Sequence, residues 1–135
     1  MAIYGVIMAG GSGTRFWPYS RTHKPKQLLK IFSQKSMMQE TVDRLEPLIP
    51  RENIFISTNT FLGELIKKEL PDVNYVIEPT AKNTTACIGL SAISIMRKDP
   101  EGIMFIETSD HVYKNVDLYL DNVKKAAIAA RQVAN

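Results

Sequence analysis

An apolar run, Ile3 to Ala9, passes without a break into Gly10-Gly11-Ser12-Gly13. Consecutive rather than alternating apolar positions suit a strand covered on both faces, as in a parallel sheet. Three more short runs of this kind follow, at Ile54–Ser57, Tyr75–Ile77 and Ile103–Ile106. Helical spacing fills the intervals. Ser36 with Gln39 resembles a capping box, opening a helix that carries Met37, Val42, Leu45 and Leu48 and stops at Pro50. Thr60–Leu70 spaces Phe61, Leu62, Leu65 and Ile66 on one side, and Pro71 stops it. Thr84–Arg97 is expected to turn Ile88, Ala92, Ile95 and Met96 inward, and Asp117–Val133 to bury Leu118, Val123, Ala126, Ala127 and Ala130. Strand and helix thus alternate four times along the 135 residues. Such alternation predicts a single α/β domain: a Rossmann-like, mostly parallel sheet with helices on both faces.

In that architecture the loops leaving the carboxyl ends of the strands converge on the ligand. Here they span residues 10–35, 57–60, 78–83 and 107–115, and the chemically unusual residues sit in three of these four. The first has no periodicity, and a connection that long in a compact domain is usually functional or disordered. Its glycines let backbone N–H groups approach phosphate oxygens closely, because no Cβ intervenes. Arg15 and Lys24-Pro25-Lys26 then bring cations to the same loop. A parallel sheet holds a nucleoside triphosphate in this way.

The formal charge of +3 is too small to indicate nucleic acid, and no basic block interleaves with aromatics. The lone Cys87 excludes an internal disulfide and argues for a reducing compartment. The apolar amino terminus is too short for a signal or spanning helix, so a cytoplasmic protein with no membrane partner is expected.

The glycine loop is neither of two common phosphate-binding types. A P-loop requires Lys-Ser/Thr after its last glycine, and none follows here. A dinucleotide fingerprint requires a third glycine where Phe16 stands, and an acidic residue after the second strand where Ser57-Thr58-Asn59 stand. Instead Gly10-Gly11-Ser12-Gly13-Thr14-Arg15, followed by Pro25-Lys26, resembles the sugar-1-phosphate nucleotidyltransferases. Phe16-Trp17-Pro18-Tyr19-Ser20-Arg21 and Lys24-Pro25-Lys26-Gln27 are similar to the mannose-1-phosphate guanylyltransferase branch of that family. So is Glu78-Pro79-Thr80-Ala81-Lys82-Asn83-Thr84, and Ser109-Asp110-His111 falls where the family has Pro-Ala-Asp-His.

The resemblance implies transfer of GMP from GTP to mannose 1-phosphate, giving GDP-mannose and pyrophosphate. It implies that Gly10, Gly11, Ser12, Gly13 and Thr14 cradle the triphosphate, with Arg15 at the departing pyrophosphate and Lys26 near the α-phosphate or sugar phosphate. Glu78, Pro79 and Asn83 become the base and ribose wall, and Asp110 the ligand of a Mg²⁺ cofactor. Simpler roles compete at several positions. Trp17 suits a loop anchor, Lys24 a solvated cation, His111 a hydrogen-bonded structural residue and Cys87 a small buried helix residue. Asp110 and Asn83 stand where helix caps also stand.

Two departures from the family pattern are local. Glu107-Thr108 replaces an apolar residue and Pro, so Glu107 either disturbs the charge there or joins the metal shell. Lys82 replaces Arg, keeping the charge and losing the planar fork. A third concerns extent, since the family continues with strands carrying the sugar site and a second metal-binding aspartate. Residues 1–135 are therefore expected to be the nucleotide half, with the sugar-binding part absent. On this view the isolated chain binds Mg-GTP weakly, does not turn over and self-associates as a homo-oligomer through an unpaired sheet edge. The alternatives are a non-catalytic nucleotide-binding module and a nucleotidyltransferase for another sugar or base.

Overall fold

A computed structural model describes residues 2–11, 20–21, 23–31, 33–80 and 83–134, with the Asn83 side chain left out. The strands are β1 (Ile3–Met8), β2 (Ile54–Thr58), β3 (Asn74–Ile77) and β4 (Ile103–Thr108). The helices are α1 (Met37–Leu45), α2 (Thr60–Glu69), α3 (Asn83–Lys98) and α4 (Val116–Ala134). The strands form one sheet in the order β3-β2-β1-β4, with every pairing parallel. The chain steps outward from β1 to β2 and β3, then returns to place β4 on the other side of β1. The order therefore reverses between β1 and β4, which is where ligands of such sheets bind.

Alternation along each strand sorts the side chains into two layers. Ile3, Ile7, Ile54 and Ile56 join Met38, Val42 and Leu45 of α1, Leu62 and Ile66 of α2 and Ala127 of α4 in the larger core. Tyr4, Val6, Phe55 and Val76 face the other way, against Ile95 of α3. Helices thus cover both faces, as expected, but unequally. The expected inward sets of α3 and α4 hold only in part. Ile95, Val123 and Ala127 are buried, whereas Met96, Leu118, Ala126 and Ala130 are exposed. The cause is position: β4 is an edge strand, and among the described residues nothing lies beyond it to meet the outer side of either helix.

Local signals set the helix ends. Ser36 and Gln39 form the reciprocal capping box, and Asn59 Oδ1 accepts the Leu62 N–H at 2.8 Å. Helix α4 is capped by Asn115, whose Oδ1 accepts the Leu118 N–H at 3.0 Å. Asp110 is therefore not the cap of that helix. Helix α3 begins at Asn83 itself, one residue earlier than the sequence pattern suggests.

Ile56 is fully buried at the centre of the larger core. Ile56→Ala is expected to cost about 3 kcal/mol of stability, read as a lower urea midpoint at unchanged slope.

Candidate functional site

The carboxyl ends of β1, β2 and β3 are tied together by main-chain and hydroxyl bonds. Ala9 N–H donates to the Ser57 carbonyl at 2.9 Å, Glu78 N–H to the Thr58 carbonyl at 2.8 Å, and Thr58 Oγ1 to the Ala9 carbonyl at 2.8 Å. The first turn after β1 and the segment after β3 are thereby held side by side. An added Cβ at Gly10 would lie 3.8 Å from Glu78 Oε2. Gly11 follows with φ of +81°, in the left-handed region that favours glycine. Ser12, Gly13, Thr14, Arg15 and Trp17 lie outside the described residues.

The long first connection is not without structure. Arg21 and Lys24 exchange two main-chain hydrogen bonds, and Lys26–Leu28 forms a 3-10 turn. That turn brings Lys26 and Gln27 back to the strand ends. Gln27 is buried, and its Nε2 donates to the Gly10 carbonyl at 3.3 Å. Lys24 is exposed. Lys26 is only 12% exposed, and its Nζ donates to Asp110 Oδ2 at 2.8 Å. The two residues are 84 positions apart and meet because β1 and β4 are neighbours. Donation by Lys26 holds the Asp110 carboxyl below its ordinary value, against the opposing effect of partial burial.

Four of the positions marked by sequence are thus assembled: Gly10 beside Glu78, and Lys26 on Asp110. Pro79 is exposed on the same loop as Glu78, and the Asn83 side chain is outside the described residues. Glu78 is half-buried, and its Oε1 has no hydrogen-bond partner among the described residues. Such an atom is costly unless a ligand or solvent satisfies it.

Glu107 does not join Asp110. It lies within the strand on the α1 and α4 side, where Arg44 Nη2 donates to Oε1 at 2.8 Å and the Tyr119 hydroxyl to Oε2. Among the described residues no group of three or more His, Cys, Asp or Glu could hold a metal ion. Asp110 is then a single carboxylate beside a cation. That donor set suits Mg²⁺, which binds through one or two carboxylates plus water and phosphate oxygens, and does not suit an all-protein cage. His111 Nδ1 lies 2.7 Å from Thr108 Oγ1 and 3.7 Å from Asp110 Oδ1. Cys87 is buried in α3 and donates to Ser57 Oγ at 3.0 Å, and burial pushes its thiol up. No helix among the described residues is long and apolar enough to cross a membrane.

Gln27, Arg44, Tyr113 and Tyr119 were not singled out as site residues by sequence reasoning. Arg44 did carry a signal: it falls on the helical stripe of Met37, Thr41 and Leu48, a place for an apolar side chain.

A parallel sheet with a glycine turn, a lysine and an aspartate meeting where its order reverses defines a doubly wound α/β protein with its site at that reversal. The chain belongs to the nucleotidyl transferase family, whose pattern matches residues 4–134. A mannose-1-phosphate guanylyltransferase of Escherichia coli is 36% identical over 126 residues, covering 90% of this chain and 26% of that protein. One from Klebsiella pneumoniae is 36% identical over the same shares of the two chains. The chain therefore spans about a quarter of the length of the curated relatives it matches. The crystal structure of a mannose-1-phosphate geranyltransferase from Thermus thermophilus has the same fold. It matches with a TM-score of 0.83 at 24% identity, over 93% of this chain and 37% of that one.

Two outcomes follow from this geometry. Gly11→Ala meets open space, so its cost is conformational alone, about 1 kcal/mol by chemical denaturation. Asp110 contributes stability above its ordinary value of 3.8, and this is lost only as pH falls through the depressed folded value. Lys26→Met is expected to raise the Asp110 carboxyl in a carbon-13 NMR titration and to remove that acid-side contribution.

Proposed function

We propose that residues 1–135 form the nucleotide and Mg²⁺ half of a site that transfers GMP from GTP to mannose 1-phosphate. The observation that carries this reading is the contact of Lys26 with Asp110 beside Gly10 and Gly11, at the reversal point of the sheet. The names of the Escherichia coli and Klebsiella pneumoniae relatives support the same reaction.

In this reaction a phosphate oxygen of mannose 1-phosphate attacks the α-phosphorus of GTP, and the bond to pyrophosphate breaks. The nucleophile is already an anion, so no strong general base is needed. The difficulty is bringing two anions together, and positioning and charge do most of the work. Gly10 and Gly11 allow backbone N–H groups to approach the phosphates. Lys26 supplies a point charge at the reacting phosphates. Arg15, outside the described residues, is assigned to the departing pyrophosphate as a planar fork. Asp110 would hold Mg²⁺, which would lessen repulsion between the phosphates. Asn83 and Pro79 complete the wall around base and ribose.

Glu78 gives the reading its base. Its Oε1, without a partner among the described residues, and the neighbouring Oε2 are acceptors only. Guanine presents two adjacent donors, N1–H and the 2-amino group. Uracil and thymine present one donor between two carbonyls, which a carboxylate repels.

Thermal unfolding of the 135-residue chain with Mg²⁺ and a panel of nucleoside triphosphates tests this assignment. GTP at 100 times its Kd is expected to stabilise by about 2.7 kcal/mol. The shift should depend on Mg²⁺ and vanish in Asp110→Asn, and Glu78→Gln should erase the preference for GTP over UTP. Tighter binding of UTP or dTTP would overturn the guanine reading. Formation of GDP-mannose by this chain from GTP and mannose 1-phosphate would overturn its confinement to the nucleotide half.

A further inference from the structure

The segment from the end of β1 through α1 meets the segment from the end of β4 into α4 twice. The first meeting is Lys26 with Asp110. The second is a buried cluster around Arg44 of α1, only 8% exposed. Arg44 Nη2 donates to Glu107 Oε1 at 2.8 Å, and the Tyr119 hydroxyl donates to Oε2 of the same carboxylate. The Arg44 guanidinium also lies 4.6 Å from the ring centre of Tyr113 and 5.3 Å from that of Tyr119. The two rings are themselves 4.2 Å apart. One guanidinium therefore grips both Glu107 and Tyr113, the two ends of the segment with Asp110 at its middle.

The two meetings belong to one closed path. The Lys26–Leu28 turn leads to Leu29, whose carbonyl accepts the Met37 N–H at 3.0 Å at the start of α1. Helix α1 carries Arg44, Arg44 holds Glu107 and Tyr113, and the segment between them returns Asp110 to Lys26. Arg44 is thus linked to Asp110 by contacts on both sides.

The cluster is poorly built for stability alone. Both charged side chains are more than nine-tenths buried, and Arg44 Nε has no partner among the described residues. Well-packed apolar residues often replace such a pair at no loss of stability. What apolar residues do not supply is directed bonds that fix one arrangement of the strand end.

We propose that Arg44, acting through Glu107 and Tyr113, is a positioning residue that sets the Asp110 carboxylate for a divalent cation shared with nucleotide phosphates. The inference rests on the reading of Asp110 as the cation ligand. Arg44 touches neither cation nor nucleotide, and Glu107 is not itself a ligand.

The test uses Mn²⁺ with GTP, titrated into the 135-residue chain and followed by electron paramagnetic resonance. Asp110→Asn should remove the bound signal. The double variant Arg44→Met/Glu107→Leu removes both charges together. It is expected to keep its thermal midpoint within a few degrees yet to bind Mn²⁺–GTP about tenfold more weakly. Arg44→Lys with Glu107 intact should recover part of that loss. Should the double variant not fold, Tyr119→Phe, which deletes one hydroxyl, carries the same test through a smaller fall in Mn²⁺ affinity. Unchanged affinity in a folded variant, with Asp110→Asn still abolishing binding, would overturn the role of Arg44 and leave the site reading standing. Absence of any Asp110-dependent Mn²⁺ signal in the unaltered chain would overturn both.

Discussion

Strand β1 is paired along its length with β4, from Ile3 with Ile103 to Met8 with Thr108, and with β2 on its other side. Because these pairings are parallel, the chain must leave every strand at the same end of the sheet. Because β4 lies next to β1 and not beyond β3, the last described strand opens beside the first. Residues 84 positions apart can then share one hydrogen bond. Without the return of β4 to β1, Lys26 and Asp110 would sit at unrelated places on the surface.

The site is polarised along the strand ends. At the β3 side Glu78 offers carboxylate oxygens, one of them without a partner among the described residues. At the β4 side the Lys26 ammonium and the Asp110 carboxylate stand together as an ion pair. A nucleotide carries the matching polarity on the proposed reading. The base presents N–H donors at one end, and the phosphates present acceptors at the other, where backbone N–H groups and cations answer them.

Much of this was legible because each strand is a short apolar run and α1 opens on a capping box. Those signals are local, and local chemistry fixes where elements begin. Faces were less legible. Met96 and Leu118 sit on apolar stripes yet are exposed, because a stripe reports what a side chain favours and not whether a neighbour is there. The pairing of Lys26 with Asp110 needed the strand order, which no local pattern states. Arg44 and Glu107 were each anomalous where they stood, one on a helical apolar stripe and the other at the end of an apolar strand. Only the packing of α1 and α4 on one face of β4 makes each the answer to the other.

The position of Glu107 also decides a question of charge. Register places it opposite Ile7, on the α1 and α4 side, while Asp110 lies beyond the strand in the turn that follows. An unpaired Glu107 carboxylate at the strand end would raise the negative charge that incoming phosphates meet. Arg44 removes that effect by pairing with Glu107 in the core, which leaves Asp110 with Lys26 and His111 beside it at the turn. The acid that breaks the apolar pattern of β4 is thereby withdrawn from the chemistry and kept as a strut. On the proposed reading a divalent ion would meet one carboxylate rather than two, and the coordination left open would be available to phosphate oxygens.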